Sequence, residues 1–134
     1  MTSAREIPAR LNRAKRTLKA AQTMLTAGFP EEAVSRAYYA MFYAASAMHR
    51  AEGRIYRRHD SLIGEFGKYF VISGKVRREF HESLRNAFGL RKSADYESFL
   101  EGSISAAEAE ALVDQAFEFV MMAERFLEGL GDKN

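Results

Sequence analysis

Hydrophobic side chains recur at steps of three and four residues through most of this 134-residue chain. That spacing places them along one side of an α-helix, so it predicts a series of packed helices. No stretch alternates with the period of two that is typical of a β-strand. The predicted helices cover about Ala4–Ala27, Glu31–Ala51, Asp60–Tyr69, Lys75–Arg91 and Ser105–Leu127. We therefore expect an all-α fold, an up-and-down four-helix bundle with one additional short helix, as a single domain over residues 1–134.

Glycine, proline and a capping sequence mark where the predicted helices stop and start. Gly28 accepts the left-handed conformation that ends many helices, and Pro30 suits the first turn of the next helix. Because so few residues separate the first two helices, they should form an antiparallel hairpin. Ser105 and Glu108 match a capping box, in which each side chain bonds the backbone N–H of the other. The periodicity is lost over residues 92–103, where we predict a surface loop.

The second helix is hydrophobic on nearly all of its sides, which predicts that it lies at the centre of the bundle. Its aromatic side chains are Tyr38, Tyr39, Phe42 and Tyr43. Arg36, Tyr39 and Tyr43 share one face, because they are separated by three and four residues. Rings at helical spacing are typical of a core, whereas accessible rings can stack on nucleobases. This face is therefore one candidate for ligand binding.

Arg91 continues the hydrophobic stripe of the fourth helix beyond Leu84 and Ala87. A cation in such a position needs partners, because a buried unpaired charge is very costly. Asp95 and Tyr96 follow one turn later. One interpretation is an Arg–Asp pair that closes the helix end and pins the loop. The other is a phosphate-binding cluster, since the forked guanidinium matches phosphate geometry, and both can hold.

The formal net charge of +2 hides an uneven distribution along the chain. Residues 1–92 contain 18 Lys or Arg against 8 Asp or Glu, and residues 93–134 contain 2 against 10. A basic body attracts phosphate-bearing partners, and an acidic last helix can shield it or bind a neighbouring copy. Alternatively, helices of opposite charge neutralise each other within one bundle. The basic face of the first helix has the same two interpretations, as a solvated surface or as a phosphate-binding stripe.

Other features narrow the classes of function. The chain has no cysteine, which excludes disulfides and thiolate metal sites and fits the cytoplasm. No hydrophobic run reaches the length of a membrane span, and the first residues do not resemble a signal peptide. The sequence has neither the Glu-x-x-His pairs of a di-iron bundle nor a Gly-rich phosphate loop. We therefore expect a cytoplasmic protein that has no membrane segment, metal site or cofactor.

Three short motifs make the chain similar to a known family. The run SRAYYAMFYAASAM, residues 35–48, resembles the signature helix of the HEPN family, small helical domains associated with nucleotides and RNA. Arg91-x-x-x-Asp95-Tyr96 resembles a motif of one bacterial and archaeal HEPN branch, and His59-Asp60-Ser61 is similar to an element ahead of the third helix in that branch. The resemblance extends from Gly28-Phe29-Pro30 to Asp95-Tyr96 and implies the HEPN fold.

The resemblance departs from HEPN ribonucleases at one residue. Many HEPN proteins that cleave RNA carry an Arg, four to six variable residues and a His, and a two-fold dimer brings two such motifs into one cleft. Neither Arg85 nor Arg91 is followed by a His at that distance. A His matters because it can serve as base and acid in metal-independent cleavage near neutral pH. The remaining candidates for catalysis are Arg91, Asp95 and, if the fold brings it into the cleft, His59.

The leading hypothesis is a nucleotide- or RNA-associated HEPN module, non-catalytic or weakly catalytic. The resemblance implies a homodimer and a small nucleotidyltransferase partner in a toxin–antitoxin or defence system, with Tyr96 as the residue that the partner modifies. A metal-independent ribonuclease with a non-standard active site is one alternative, and a purely structural protein-interaction module is another. The residues expected to bind a ligand are Arg36, Tyr39, Tyr43, Arg85, Arg91, Asp95 and Tyr96.

Overall fold

The described part of the chain, residues 5–97 and 104–131 of a computed structural model, consists of helices and contains no strand. The helices are α1 (Glu6–Thr26), α2 (Pro30–Ala51), α3 (His59–Phe66), α4 (Arg78–Glu97) and α5 (Ala106–Gly131). The segment Gly67–Ile72, directly after α3, is π-helical. The prediction of an all-α fold is confirmed. None of these helices is long and apolar enough to cross a membrane.

The central helix is α2, as its hydrophobic sequence predicts, and it packs against α1, α4 and α5. Arg50 near the end of α2 bonds Glu6 at the start of α1, so these helices are antiparallel. Ser35 near the start of α2 bonds Asp95 near the end of α4, so this pair is antiparallel as well. Within the described residues, the backbones of α1 and α4 do not approach each other closely. They leave between them an outer stripe of α2 that contains Glu32, Arg36, Tyr39 and Tyr43.

A single hydrophobic core receives side chains from every helix. Its largest fully buried rings are Tyr38, Phe66, Phe70 and Phe119, which come from α2, α3, the π-helical segment and α5. Phe66 contacts both Phe70 and Phe119, with ring centroids 5.0 and 5.4 Å apart. This core fixes the position of α3 against α2, and α3 in turn carries one of the site residues.

The fourth helix differs most from the prediction. It begins at Arg78, later than the predicted Lys75, and runs to Glu97, well past Arg91. Residues 92–97 were predicted as a loop, and that prediction is wrong. They are helical because Ala94 continues the buried stripe of the helix and is only 2 % exposed. Polar neighbours conceal this single buried position in the sequence. Residues 98–103 of the predicted loop lie outside the described residues.

The other helix ends lie close to their predicted positions. Gly28 has a φ angle of 90°, the left-handed conformation predicted for the stop after α1, and Gly53 after α2 has a φ angle of 80°. The capping box of α5 is confirmed, because Ser105 N donates to Glu108 Oε1 and Glu108 N donates to Ser105 Oγ, both at 3.1 Å. α5 continues past the predicted end at Leu127.

The π-helical segment replaces the last turn of the predicted third helix. Gly67 lies where a Cβ atom would approach Cε1 of His81 to 2.6 Å, so a larger residue does not fit without movement. Nε2 of His81 also lies 3.0 Å from the carbonyl oxygen of Ile63. The half-buried His81 therefore holds α4 against the end of α3, and its role here is structural.

Candidate functional site

Arg91 connects the second half of α4 to the first half of α2. Its Nη2 donates a hydrogen bond to Tyr39 Oη at 3.1 Å. Its guanidinium carbon lies 5.6 Å from the centre of the Tyr38 ring and 5.4 Å from that of Tyr39. Asp95 Oδ2 lies 3.0 Å from Arg91 Nε, and Asp95 Oδ1 accepts a hydrogen bond from Ser35 Oγ at 2.6 Å. These five residues, together with His59, are called the Arg91 cluster below.

The ion pair between Arg91 and Asp95 is partly open to solvent. The two side chains are 20 % and 37 % exposed. Nε of Arg91 is buried and makes no hydrogen bond with the described residues, so charge rather than N–H alignment holds this contact. An exposed pair of this kind contributes at most about 1 kcal/mol to stability. The predicted Arg–Asp pair is present, but it does not close the helix end, because α4 continues to Glu97.

His59, the first residue of α3, places its ring among the aromatic side chains of α2. Its Nδ1 lies 2.5 Å from Tyr38 Oη, and its ring stacks on Phe42 with centroids 4.3 Å apart and an interplanar angle of 19°. Burial first, and then the charge of Arg91, lower the pKa of His59 below its ordinary value of 6.5. The imidazole is therefore mostly neutral at pH 7.

The contact between Tyr38 and His59 permits two arrangements of protons. Burial strongly raises the pKa of Tyr38, so its hydroxyl stays protonated. This hydroxyl can donate a hydrogen bond to Nδ1, or its oxygen can accept a hydrogen bond from a protonated Nδ1. In the second arrangement Nε2 has a free lone pair. Nε2 makes no hydrogen bond with the described residues and is not closed off from solvent. The cluster thus contains a neutral imidazole beside a fixed positive charge.

A cleft of about 450 Å³ opens beside the Arg91 cluster. Tyr39, Ser35 and Asp95 from the cluster lie on its wall, together with Arg36 from the outer stripe of α2. Glu31 and Glu32, from the first turn of α2, also line it. Three carboxylates therefore face the same space as Arg36. The cleft is amphoteric, and it offers donors and acceptors rather than a purely basic surface.

The structure brings half of the predicted site residues together. Arg91, Asp95 and Tyr39 are in direct contact, and His59 joins them through Tyr38 and the ring of Tyr39, whose centroid is 5.9 Å away. His59 comes from a different helix from Arg91. The sequence left open whether the fold would bring these two residues together.

Four predicted ligand-binding residues lie elsewhere or are not described. Tyr43 is the neighbour of Tyr39 on the outer stripe, with ring centroids 6.1 Å apart. Arg36 is exposed on the same stripe. Arg85 is exposed on α4 but points about 120° away from Arg91 around the helix, so it does not join the cluster. Tyr96 lies in the last turn of α4, and its side chain is outside the described part of the structure.

Sequence reasoning missed Ser35 and the role of Tyr38. Ser35 lies one helical turn before Tyr39, so its spacing was a usable signal that it shares the face of that residue. Tyr38 is completely buried, and the sequence indicates it as a core residue. Its hydroxyl bond to His59 depends on the packing of α3 and has no local signal. Among the described residues, no group of three or more His, Asp or Glu side chains is placed to hold a metal ion.

The fold and the cluster together define a class of protein, a small all-α bundle in which an Arg, an Asp and a His from two other helices pack against the central helix. Comparison with known families agrees with this class. The HEPN domain family matches residues 7–126, nearly the whole chain. The chain belongs to the HEPN family, and the resemblance found in the sequence is confirmed.

Similar proteins occur in archaea and bacteria. A Methanocaldococcus jannaschii protein with the name "Putative toxin MJ0142" is 28 % identical over 92 % of this chain and 82 % of its own length. A second protein of that organism, "Putative toxin MJ0605", is 31 % identical over 86 % of this chain and 84 % of its own. "UPF0332 protein glr0978" of Gloeobacter violaceus is 32 % identical over 87 % of this chain and 92 % of its own.

Proposed function

We propose that this protein is a nucleotide- or RNA-associated HEPN module that acts as the toxin component of a two-component system with a small nucleotidyltransferase partner. Membership of the HEPN family and the names of two relatives support the toxin assignment. The nucleotidyltransferase follows from the resemblance of the Arg91-x-x-x-Asp95-Tyr96 motif. In this proposal the protein is one domain, forms a homodimer and works in the cytoplasm.

The observation that carries the proposal is the orientation of Arg91. Its guanidinium is held by the carboxylate of Asp95 and the hydroxyl of Tyr39, and both of these residues line a cleft of about 450 Å³. A guanidinium that is already oriented loses little conformational entropy when it binds a phosphate group.

The test is purification of the tagged protein from its own host at mild salt. Mass spectrometry identifies the proteins that co-purify, and the absorbance ratio at 260 and 280 nm reports bound nucleic acid. We expect a nucleotidyltransferase in stoichiometric amount.

A growth assay is the second test. We expect growth arrest when the unchanged chain is expressed alone, and none with Arg91→Gln. Arg125→Gln is the matched control, because it removes an equal charge from an exposed position on α5. A protein that purifies without partner or nucleic acid, and does not arrest growth, contradicts the proposal.

The position of His59 favours a second candidate function, metal-independent cleavage of RNA. The sequence lacks the usual His after Arg91, but the fold supplies an imidazole to the same cluster from α3. With its proton on Nδ1, His59 can accept the proton of a 2′-hydroxyl at Nε2. The 2′-oxygen then bonds to phosphorus, the bond to the 5′-oxygen breaks, and the leaving oxygen takes a proton from the imidazolium or from water. Arg91 is suited to stabilise the charge on the phosphoryl oxygens.

The two candidate functions differ in whether the protein cleaves RNA catalytically. The second predicts cleavage of RNA in the presence of EDTA, with loss of activity in both His59→Gln and Arg91→Gln and retention in Arg125→Gln. Activity should also fall when the pH drops below the lowered pKa of His59, because the base becomes protonated. Cleavage that survives His59→Gln is evidence against this mechanism and indicates a contaminating nuclease.

A further inference from the structure

A basic groove runs between α1 and the outer stripe of α2. It consists of two adjoining cavities of about 550 and 670 Å³. Arg10 and Tyr43 line the first cavity, Arg16 and Arg36 line the second, and Arg13 lines both. These five residues define the α1–α2 groove. Arg36 also lines the cleft beside the Arg91 cluster, so the groove continues to that cluster.

The α1–α2 groove has a strong excess of positive charge. Glu6 is the one carboxylate among the described residues that line its two cavities. Glu6 accepts a hydrogen bond from Arg50 at 3.2 Å, so an arginine outside the groove already shares its charge. Burial and the nearby charge of Arg50 lower the pKa of Arg10, as expected where cations are crowded. The α1–α2 groove therefore contains four arginines and one paired carboxylate.

Aromatic rings lie in line with these cations. The guanidinium of Arg13 covers the ring of Tyr43, with its central carbon 4.9 Å from the ring centre. Tyr39 follows at 6.1 Å along the outer stripe. Cations that alternate with accessible rings are typical of sites for single-stranded nucleic acid, where arginines contact phosphates and rings stack on bases. An acidic protein would use the arginines but would leave the two rings without a role.

We propose that the α1–α2 groove binds a single-stranded polynucleotide, with phosphates on Arg13, Arg16 and Arg36 and a base on Tyr43. Binding of a single strand follows from the groove alone. That the natural strand is RNA rests on the proposed function. The groove leads the strand to the cleft beside the Arg91 cluster, where Tyr39 lies on the wall. The carboxylates Glu31 and Glu32 lie beyond Arg36 and limit the basic surface at that end.

The test measures the binding of fluorescein-labelled 12-nucleotide RNA, and of DNA with the same sequence, by fluorescence anisotropy at several salt concentrations. We expect Arg13→Gln, Arg16→Gln and Arg36→Gln each to raise Kd about three- to tenfold, because each removes a phosphate contact. Each should also reduce the slope of log Kd against log salt by about 0.7. These side chains are exposed, so the variants should fold, which thermal melting verifies.

Two controls make the result specific to the groove. Lys19→Gln removes a cation from the same helix, but Lys19 lines a separate cavity with Gln22 and Thr23. It should change Kd less than about twofold. Tyr43→Phe should keep the affinity and Tyr43→Leu should weaken it, because stacking needs the ring and not the hydroxyl. Preference for the RNA strand supports RNA as the natural ligand, and equal binding of both strands supports a general single-strand site.

Three results would overturn the inference. The first is that neither strand binds. The second is that Lys19→Gln and Arg13→Gln change Kd equally. The third is that nucleic acid does not bind and the protein instead captures an acidic protein, which the Arg13→Gln variant no longer holds. The Arg91→Gln variant separates this inference from the proposed function. If it abolishes growth arrest but still binds the strand, the groove and the cluster have distinct roles. If the unchanged protein binds neither strand, and the Arg13, Arg16 and Arg36 variants still arrest growth, the assignment of the groove is wrong. The proposed toxin function then stands.

Discussion

Two histidines, His49 within α2 and His59 packed against it, have similar surroundings. Of these two, only His59 belongs to a site that is open to solvent. His49, within α2, is 1 % exposed and contacts the rings of Tyr56 and Phe70. Its Nε2 donates to the carbonyl oxygen of Leu62 at 3.1 Å, and its Nδ1 accepts from Arg54 Nε at 3.3 Å. Both nitrogens of His49 are therefore engaged.

His59 differs from His49 in its exposure to solvent and in the number of ring nitrogens that already have a hydrogen-bond partner. Among the described residues, only Nδ1 of His59 has a hydrogen-bond partner, and the ring is half-buried. Tyr39 and Asp95, which hold the neighbouring Arg91, line a cleft. The arginine near His49, in contrast, is held by Glu52 at 2.8 Å and covers the ring of Tyr69. The same residue types therefore form a closed structural network at one end of α2 and an open cluster at the other. Residue type alone does not separate the two roles, whereas unused hydrogen-bonding capacity does.

The sharpest test of this difference compares the two alanine variants. His49→Ala creates a cavity and leaves the carbonyl oxygen of Leu62 without its donor, so we expect the free energy of unfolding to fall by about 3 kcal/mol. His59→Ala should lower it by about 1 kcal/mol, since the ring is already half-solvated. Urea denaturation followed by circular dichroism measures both values. Equal losses would contradict the distinction between a closed and an open cluster.

The pH dependence of stability should also come mainly from His49. Burial lowers its pKa to about 4, against 6.5 in the unfolded chain. Below pH 6.5 the unfolded chain binds a proton that the folded protein does not, so stability present at neutral pH is lost as the pH falls toward 4. We expect His49 to account for about 2 kcal/mol between pH 7 and pH 4.5. His49→Gln, which keeps a donor for Leu62, should flatten this part of the profile, and an unchanged slope would refute the assignment.

The hydroxyl groups of adjacent tyrosines should differ in their effects on stability. Tyr38 is fully buried and its hydroxyl is the partner of His59, so Tyr38→Phe should cost about 1 kcal/mol. Tyr39 is half-buried, and Arg91 keeps Asp95 when the Tyr39 hydroxyl is removed. Tyr39→Phe should therefore cost less than about 0.5 kcal/mol. Thermal melting at one pH compares the two, and the reverse order would show that the Tyr39 contact is the structural one.

The smallest predicted effect is a shift in the titration of His59. Arg91 lowers the pKa of His59, in addition to the larger effect of burial. Arg91→Gln should therefore raise the pKa of His59 toward its ordinary value without fully restoring it. Proton NMR of the histidine ring measures the change, with Arg125→Gln as the control. An unchanged titration would mean that Arg91 does not act on His59 electrostatically.

The sequence predicted the fold better than the site. The helices followed from the spacing of hydrophobic residues, and the pairing of Arg91 with Asp95 followed from their separation by one helical turn. The end of α4 was wrong because a single buried residue, Ala94, lies among polar neighbours. The sequence named His59 as a candidate for catalysis only on the condition that the fold brings it into the cleft, and that condition has no local signal. The difference between His59 and His49 depends on which other helices cover them.

The sequence by itself determined the number of helices, the central position of α2 and the local Arg91–Asp95 pair. These features depend on helical periodicity, which relates residues only a few positions apart. Only the tertiary structure decided that His59 joins Arg91 and Tyr38, and that Arg13 and Arg36 line one groove with Tyr43. Such contacts join side chains from different helices. They exist because burial of the shared core fixes how the helices pack, and no local spacing encodes that arrangement.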